Sequence, residues 1–346
     1  MSDSPFAVAL EVDDPAADAH DALSPRRLAA RIAAAERFGF TAVTIHDSAL
    51  PAGDRAARLD AVQRAAFAAP LTAAIGLVPV AQVAFGEPFH IATQLASLDW
   101  ASNGRAGWIA AASGTAREAA AYGREPLAGE ALRRERDDVI EVARRLWDSW
   151  EDDAVIQDAA TGRYLDADRL HYVDFEGETF SVKGPLITPR PPQGQLVVVA
   201  PAGAAGVDVA LVHAADLAGI TEAAARARAQ GAALVWAEVD VVLDARGVPA
   251  SRRAERVGSA SDRLRHVGDA PGLAALIAQL AGVVDGVRLH LADLDVDLEE
   301  TGRAVLPALR ERIGFRSPRP ADTLRDALGL ERPLSRYAPT AVKESA

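Results

Sequence analysis

Short runs of apolar and β-branched residues alternate along the chain with longer segments in which apolar residues recur at helical spacing. The runs predict eight strands, at residues 6–12, 41–47, 73–83, 105–113, 196–202, 216–220, 233–243 and 283–293. Between the first two, Leu28, Ile32 and Ala35 follow the helix-opening pair Ser24-Pro25. The alternation therefore predicts repeated β-α units.

Strands that are almost wholly apolar, with helices between them, are typical of a parallel sheet covered on both sides. Eight units in about 300 residues favour a closed (β/α)8 barrel over an open doubly wound sheet, because no G-x-G-x-x-G follows the first strand. Residues 152–194 contain two short β-like pieces around a Glu-Gly turn. We expect this insertion between strands four and five to form a hairpin at the barrel mouth. The predicted organisation is one barrel over residues 1–310, including the insertion, and a tail, 311–346, packed on it.

Composition and charge narrow the possible functions. The chain has 346 residues, of which 49% are hydrophobic and 25% charged, with a formal net charge of -12. An acidic protein lacks the clustered Lys and Arg that nucleic-acid binding requires, so no nucleic acid is expected as a partner. The absence of cysteine excludes disulfides, thiolate nucleophiles and cysteine metal sites, and no other metal site is expected. No apolar stretch of about 18 residues predicts a membrane span, so we expect a cytoplasmic protein without a membrane partner.

Several longer segments carry a family resemblance. They are RRLWDSWEDDAV, ATGRYLDADRLHYVDFEGETFSVKGPL, TPRPPQGQ, EPFHIATQLASLD and NGRAGW. Together they resemble the bacterial luciferase-like flavin-dependent monooxygenases, in the branch that contains nitrilotriacetate monooxygenase component A. The resemblance implies a (β/α)8 barrel that binds reduced FMN from a separate flavin reductase and oxygenates a small organic substrate with O2. It also implies a homodimer or higher homo-oligomer.

The same resemblance implies where the cofactor would be bound. The cofactor contacts expected from it are Asp47, Trp108, Ser113, Ala200, Gly203, Ala204 and Gly206. Polar groups that the family has are missing from this chain. Ile109 lies where the family has an asparagine, Ala112 lies where it has a threonine, and the turn APAGAAG lacks the family's serine. The phosphate is then expected to bind backbone amides and the N-terminus of a helix starting near Ala204. We therefore expect FMN to bind more weakly than in the family.

Two histidines are the candidate catalytic residues. His46 follows strand two, and His290 alternates with Leu289 and Leu291 in strand eight, so that it faces either the barrel interior or the helix layer. For Asp47, next to His46, the alternative to cofactor binding is a helix cap.

Three functions stay open. The first is an FMN-dependent monooxygenase or related oxidoreductase of a small organic substrate. The second is a barrel without a working flavin site that acts as a binding or scaffolding subunit. The third is an oxidoreductase that uses the deazaflavin F420. Titration with FMN and with F420 would separate them, whereas the identity of the substrate does not follow from the sequence.

Overall fold

The computed structural model describes residues 5–13, 22–50, 58–257 and 261–338. Thirteen strands lie in these ranges: β1 (Ala7–Glu11), β2 (Ala42–Ile45), β3 (Gly76–Gln82), β4 (Gly107–Ala111), β5 (Val155–Asp158), β6 (Arg163–Leu165), β7 (Phe175–Glu176), β8 (Ser181–Val182), β9 (Val197–Pro201), β10 (Val209–Val212), β11 (Leu234–Leu243), β12 (Leu264–Gly268) and β13 (Gly286–Leu291).

Eight of the strands close into a parallel barrel. Their order is β10-β9-β4-β3-β2-β1-β13-β11, and β10 also pairs with β11, which completes the ring. The predicted (β/α)8 barrel is confirmed. A ninth parallel strand, β12, pairs with the outer half of β11, where Val239–Leu243 lie beside Leu264–Gly268. The long strand β11 therefore has β10 beside its first half and β12 beside its second half.

Helices cover the outside of the barrel. The described helices are α1 (Pro25–Phe38), α2 (Ala61–Ala68), α3 (Pro88–Ala101), α4 (Ala116–Ala121), α5 (Gly129–Asp148), α6 (Leu217–Ala229), α7 (Ala250–Val257), α8 (Ala270–Leu280), α9 (Leu294–Glu300), α10 (Leu306–Ile313) and α11 (Leu324–Leu328). In α1, the Ser24 side chain accepts a hydrogen bond from the Arg27 amide and the predicted stripe is buried. None of the described helices is long and apolar enough to cross a membrane.

The sixth strand differs from the sequence prediction. Residues 216–220 begin α6, where the Asp216 side chain caps the helix by accepting from the Gly219 amide. The strand is instead β10, four buried residues that start directly after Asp208. The helix expected near Ala204 is absent, because residues 202–208 are the whole connection between β9 and β10. This is shorter than the dozen or so residues that a helical crossover needs.

The insertion consists of two antiparallel hairpins, β5–β6 and β7–β8. The prediction that the insertion lies at the barrel mouth was wrong. The insertion starts at the C-terminus of α5, and its last part returns to the amino-terminal end of the barrel, where Gln193 Nε2 donates to the Ala106 carbonyl just before β4. The β7–β8 hairpin lies along α5, with the Arg145 guanidinium 5.2 Å from the Phe175 ring centre and Thr179 bonded to Glu135.

The amino-terminal end of the barrel is closed by α11. Leu324 and Leu328 are buried in the same apolar cluster as Trp236 and the inward-facing residues of the strands. A Cβ atom at Gly76 would lie 2.7 Å from a methyl group of Leu324, and one at Gly107 would lie 2.9 Å from the other. These two glycines therefore make room for α11, which plugs the amino-terminal end of the barrel. In the described part of the chain, the barrel interior is therefore filled at its amino-terminal end, and the cavity lies at its carboxyl-terminal end.

Candidate active site

A cavity of about 670 Å³ opens at the carboxyl-terminal end of the barrel. Strands β3, β4, β9 and β10 form an apolar wall, made of Val80, Ile109, Ala111, Pro201 and Leu211. Strands β1, β11, β12 and β13 form a charged wall, made of Glu11, Glu238, Asp240, Arg263, Arg265, Arg288 and His290. A cavity of this size and mixed lining suits a small organic molecule.

A buried ion network forms the floor of the charged wall. Arg288 donates to Glu238 Oε1 at 2.8 Å and to Thr44 Oγ1 at 2.9 Å, and its other terminal nitrogen is bonded to Glu11. Burial acts to raise the pKa of Glu238, but the His290 hydrogen bond and the Arg288 charge outweigh it and hold the pKa at about 2. Glu238 is therefore ionised, and Arg288, which bonds to both Glu238 and Glu11, neutralises part of its charge.

His290 faces the barrel interior, which settles the alternative left open by its position in the strand. Its Nε2 lies 3.1 Å from Glu238 Oε1. Burial lowers the pKa of His290, although the Glu238 hydrogen bond acts in the opposite direction. The imidazole is therefore neutral near pH 7, with its proton on Nε2 toward the carboxylate. This assignment leaves Nδ1 as an acceptor that can take a proton from a bound molecule.

The strand-two residues His46 and Asp47 also line the cavity. Burial, and after it the charge of Arg58, lowers the pKa of His46. Asp47 has local partners, because one carboxylate oxygen accepts from the Ala61 amide at 2.7 Å and the other from the Ser48 amide at 2.7 Å. Arg58 lies 3.2 Å from the same carboxylate. Asp47 thus stabilises the start of α2, which is the capping alternative stated for it.

The cofactor contacts expected at strand four, Trp108 and Ser113, do not line the cavity. The Trp108 side chain is buried between the sheet and the helices, edge-on to Trp147 with ring centres 6.3 Å apart. Ser113 donates to Glu118 at 2.5 Å at the start of α4. The residue that does line the cavity is Ile109. The side chains of Trp108 and Ser113 are therefore engaged in packing and capping, outside the cavity wall.

The turn after β9 already contains an internal anion. The Ala205 amide donates to the Asp137 carboxylate at 3.2 Å, and Arg136 Nε donates to the same oxygen at 2.9 Å. Arg136 also donates to the Gly203 carbonyl at 3.1 Å, and the Ala204 amide bonds to Pro201. An amide and a guanidinium that would suit a phosphate are thus occupied by a carboxylate of α5.

Comparison with known protein families matches residues 5–281 to the luciferase-like monooxygenases. The chain belongs to this family. Homologues of this luciferase-like chain are flavin-dependent monooxygenases that act on small organic substrates, and the resemblance drawn from the sequence is confirmed. Members of the family use reduced flavin, and some relatives use F420.

Similar proteins differ in how much of their length the luciferase-like chain matches. A subunit of pristinamycin IIA synthase from Streptomyces pristinaespiralis is 34% identical over 312 residues, 89% of this chain and 90% of that protein. N-acetyl-S-(2-succino)cysteine monooxygenase of Bacillus subtilis is 44% identical over 144 residues, 41% of this chain. Nitrilotriacetate monooxygenase component A of Aminobacter aminovorans is 42% identical over 132 residues, 38% of this chain. The match spans only 32% and 29% of these last two proteins.

Solved structures agree on the luciferase-like fold. Riboflavin lyase superposes with a TM-score of 0.79 at 22% identity, over 96% of this chain and 97% of that one. Long-chain alkane monooxygenase superposes with a TM-score of 0.79 at 16% identity, over 94% and 96% of the two chains. At these identities the likeness shows the fold alone, and nothing about the substrate.

The luciferase-like barrel fits the two parts of FMN unequally. The apolar wall and the volume of the cavity suit a flat ring system. The phosphate does not fit the turn 202–208, because Asp137 occupies the Ala205 amide and no helix begins within residues 202–208. The expected phosphate contacts at Gly203, Ala204 and Gly206 therefore lack the helix on which they depended, and Ala200 is buried on the helix side of β9.

Sequence reasoning found only His290 of the charged wall. Glu11, Glu238 and Arg288 each lie inside a largely apolar strand segment, as in ALVWAEVDVVL, where Glu238 and Asp240 are the only charged residues. A lone charge in a buried strand is costly unless it is paired, so each of them was a signal that a partner faces it from another strand.

Proposed function

We propose that this chain is a flavin-dependent monooxygenase component that oxidises a small organic substrate in the cavity at the carboxyl end of the barrel. The observation that carries the proposal is the cavity itself, with an apolar wall opposite the His290–Glu238 pair, in a barrel of the luciferase-like family. Reduced flavin, when bound, supplies the electrons and the reaction with O2.

The chain's own residues have three roles in this proposal. Val80, Ile109 and Leu211 exclude water from the reacting end of the substrate. His290 accepts or returns a proton at Nδ1, and Glu238 holds the ring in that tautomer. His46, whose pKa is also lowered, is the second group that can exchange a proton with a bound molecule. We further propose that a separate flavin reductase delivers the reduced flavin, as the name component A suggests for the nitrilotriacetate relative.

Oxidised FMN is expected to bind about a hundredfold more weakly than to a site with all its phosphate and ring donors, because three or four hydrogen bonds are missing. Replacing Asp137 with asparagine removes a negative charge beside the turn and should tighten FMN binding several-fold. Titration calorimetry with FMN measures both, and a parallel titration with F420 tests the deazaflavin alternative.

The matched control for this titration is Asp138→Asn, the same change of charge one residue further along α5, where Asp138 lies beside Gly177 of the insertion. It should leave FMN binding unchanged. Nanomolar binding of FMN by the unaltered chain, or equal gains from both asparagine variants, would contradict the account of the turn.

A second function is favoured by the short connection between β9 and β10 and by the full-length similarity to a protein named as a synthase subunit. In this alternative the chain is a binding or scaffolding subunit, and a flavin-binding paralogue carries the cofactor. With FMN and a flavin reductase in excess, a catalytic chain accelerates oxidation of its substrate without any further protein. A scaffolding subunit does so only when its paralogue is added.

Self-association is proposed through the exposed apolar side chains at the ends of α2 and α3. Phe67, Leu71 and Trp100 are 45%, 52% and 48% exposed. Light scattering should give at least twice the chain mass of 36.3 kDa, and Phe67→Arg with Leu71→Arg should reduce it to a single chain. Leu334→Arg, an exposed apolar position in the tail, is the control and should leave the mass unchanged. A single-chain mass for the unaltered protein would refute the proposal.

A further inference from the structure

The charged wall of the cavity contains one arginine that has no anionic partner within the described part of the chain. Arg263 is paired with Asp240 at 3.1 Å, and Arg288 is shared by Glu11 and Glu238. Behind the wall, Arg58 is paired with Asp47 and Arg64 with Asp13. Arg265 is half-buried and lines the cavity, but it forms no ion pair with any residue in the described ranges.

The position of Arg265 follows from the extra strand β12. In the parallel pairing of β12 with β11, Arg265 lies opposite Asp240, whose carboxylate is already bonded to Arg263. Side chains alternate along a strand, so Leu264 enters the outer core while Arg263 and Arg265 turn to the cavity. Strand β12 and the residue directly before it, Arg263, therefore add two guanidinium groups to the cavity wall, and that of Arg263 is neutralised within the protein.

We propose that Arg265 determines substrate specificity by binding a carboxylate of the substrate, and that the substrate is a monoanionic organic acid with an apolar body. One unpaired guanidinium matches one negative charge. A dianion such as a phosphate ester would place its second charge beside the five carboxylates of the lining, Glu11, Asp13, Asp47, Glu238 and Asp240. The apolar body would contact the opposite wall at Ile109, Ala111 and Leu211.

The proposal rests on the proposed function for the statement that the bound acid is the substrate. Binding of the acid does not depend on catalysis, so the two can fail separately. An oxidation assay tests the activity, whereas equilibrium titration of the chain without flavin tests Arg265.

The probes for the titration are hexanoate and hexanamide, which share a hydrocarbon body and differ in charge. Calorimetry at constant ionic strength should show hexanoate binding more tightly than hexanamide. Arg265→Gln should weaken hexanoate binding about tenfold and leave hexanamide within twofold, because a charge-assisted hydrogen bond is lost. Arg265→Lys, which keeps the charge, should retain part of the hexanoate affinity.

Two controls make the result specific. Arg252→Gln changes an exposed arginine of α7 and should leave both probes unaffected. Thermal unfolding of Arg265→Gln checks that the barrel is intact, and Arg265→Lys provides the same test should the glutamine variant misfold. The proposal is overturned if hexanoate does not bind, if both probes weaken equally, or if Arg265→Gln weakens FMN and leaves hexanoate unchanged.

Discussion

Replacing Arg288 with methionine is expected to lower the free energy of unfolding by about 3–5 kcal/mol, because it leaves two buried carboxylates without their cation. Glu11 and Glu238 both bond to Arg288 inside the barrel, and the side chains of all three are about nine-tenths buried. Chemical denaturation followed by circular dichroism measures the loss. Arg252→Gln, at an exposed position, should change stability by less than about 0.5 kcal/mol.

A triple variant separates loss of the ion network from loss of packing. Adding Glu11→Gln and Glu238→Gln to Arg288→Met removes the uncompensated charges and should restore a large part of the stability. It also provides a foldable protein if the single variant does not accumulate. A single variant within about 1 kcal/mol of the unaltered chain would show that the carboxylates are solvated or protonated, contrary to their burial and to the low pKa of Glu238.

Removing the plug at the amino-terminal end should have an effect of similar size. Leu324→Ala and Leu328→Ala should each lower the free energy of unfolding by about 2–5 kcal/mol, since each leaves a cavity under the barrel floor. Thermal unfolding of each variant measures the change. Leu334→Ala is the control from the same tail, where the side chain is 84% exposed and its loss should cost almost nothing. Equal stability of the three variants would mean that the tail is dispensable.

The barrel was predictable because its signal is repeated. Seven of the eight predicted strand segments contain a strand of the ring, since apolar runs between amphipathic helices are hard to mistake. The error at 216–220 has a local cause, because the strand Val209–Val212 is only four residues long and the similarly apolar segment DLAGI follows it closely. Strand β12 was missed for the opposite reason, because Arg263, Arg265 and His266 make it look like a polar loop.

The candidate site was predictable only for residues whose place in the fold follows from the local sequence around them. His46 and His290 were found because each follows or lies in a recognisable strand. The partner of His290 is Glu238, which is 52 residues away and meets it only because β11 and β13 are neighbours in the ring. The pairing of Asp137 with the turn after β9 likewise depends on how α5 docks, which no local pattern contains.

The short connection between β9 and β10 also has an evolutionary consequence. A side chain can be regained through a single codon change, but a helix that is absent from the chain cannot. A descendant of this protein could recover a hydroxyl at Ala204 by one substitution and would still have no helix terminus behind it, because residues 202–208 lead straight into β10. Restoring a phosphate site at this turn would need an insertion of a dozen or so residues. Selection acting on point mutations would more readily improve the charged wall, where the side chains already face the cavity.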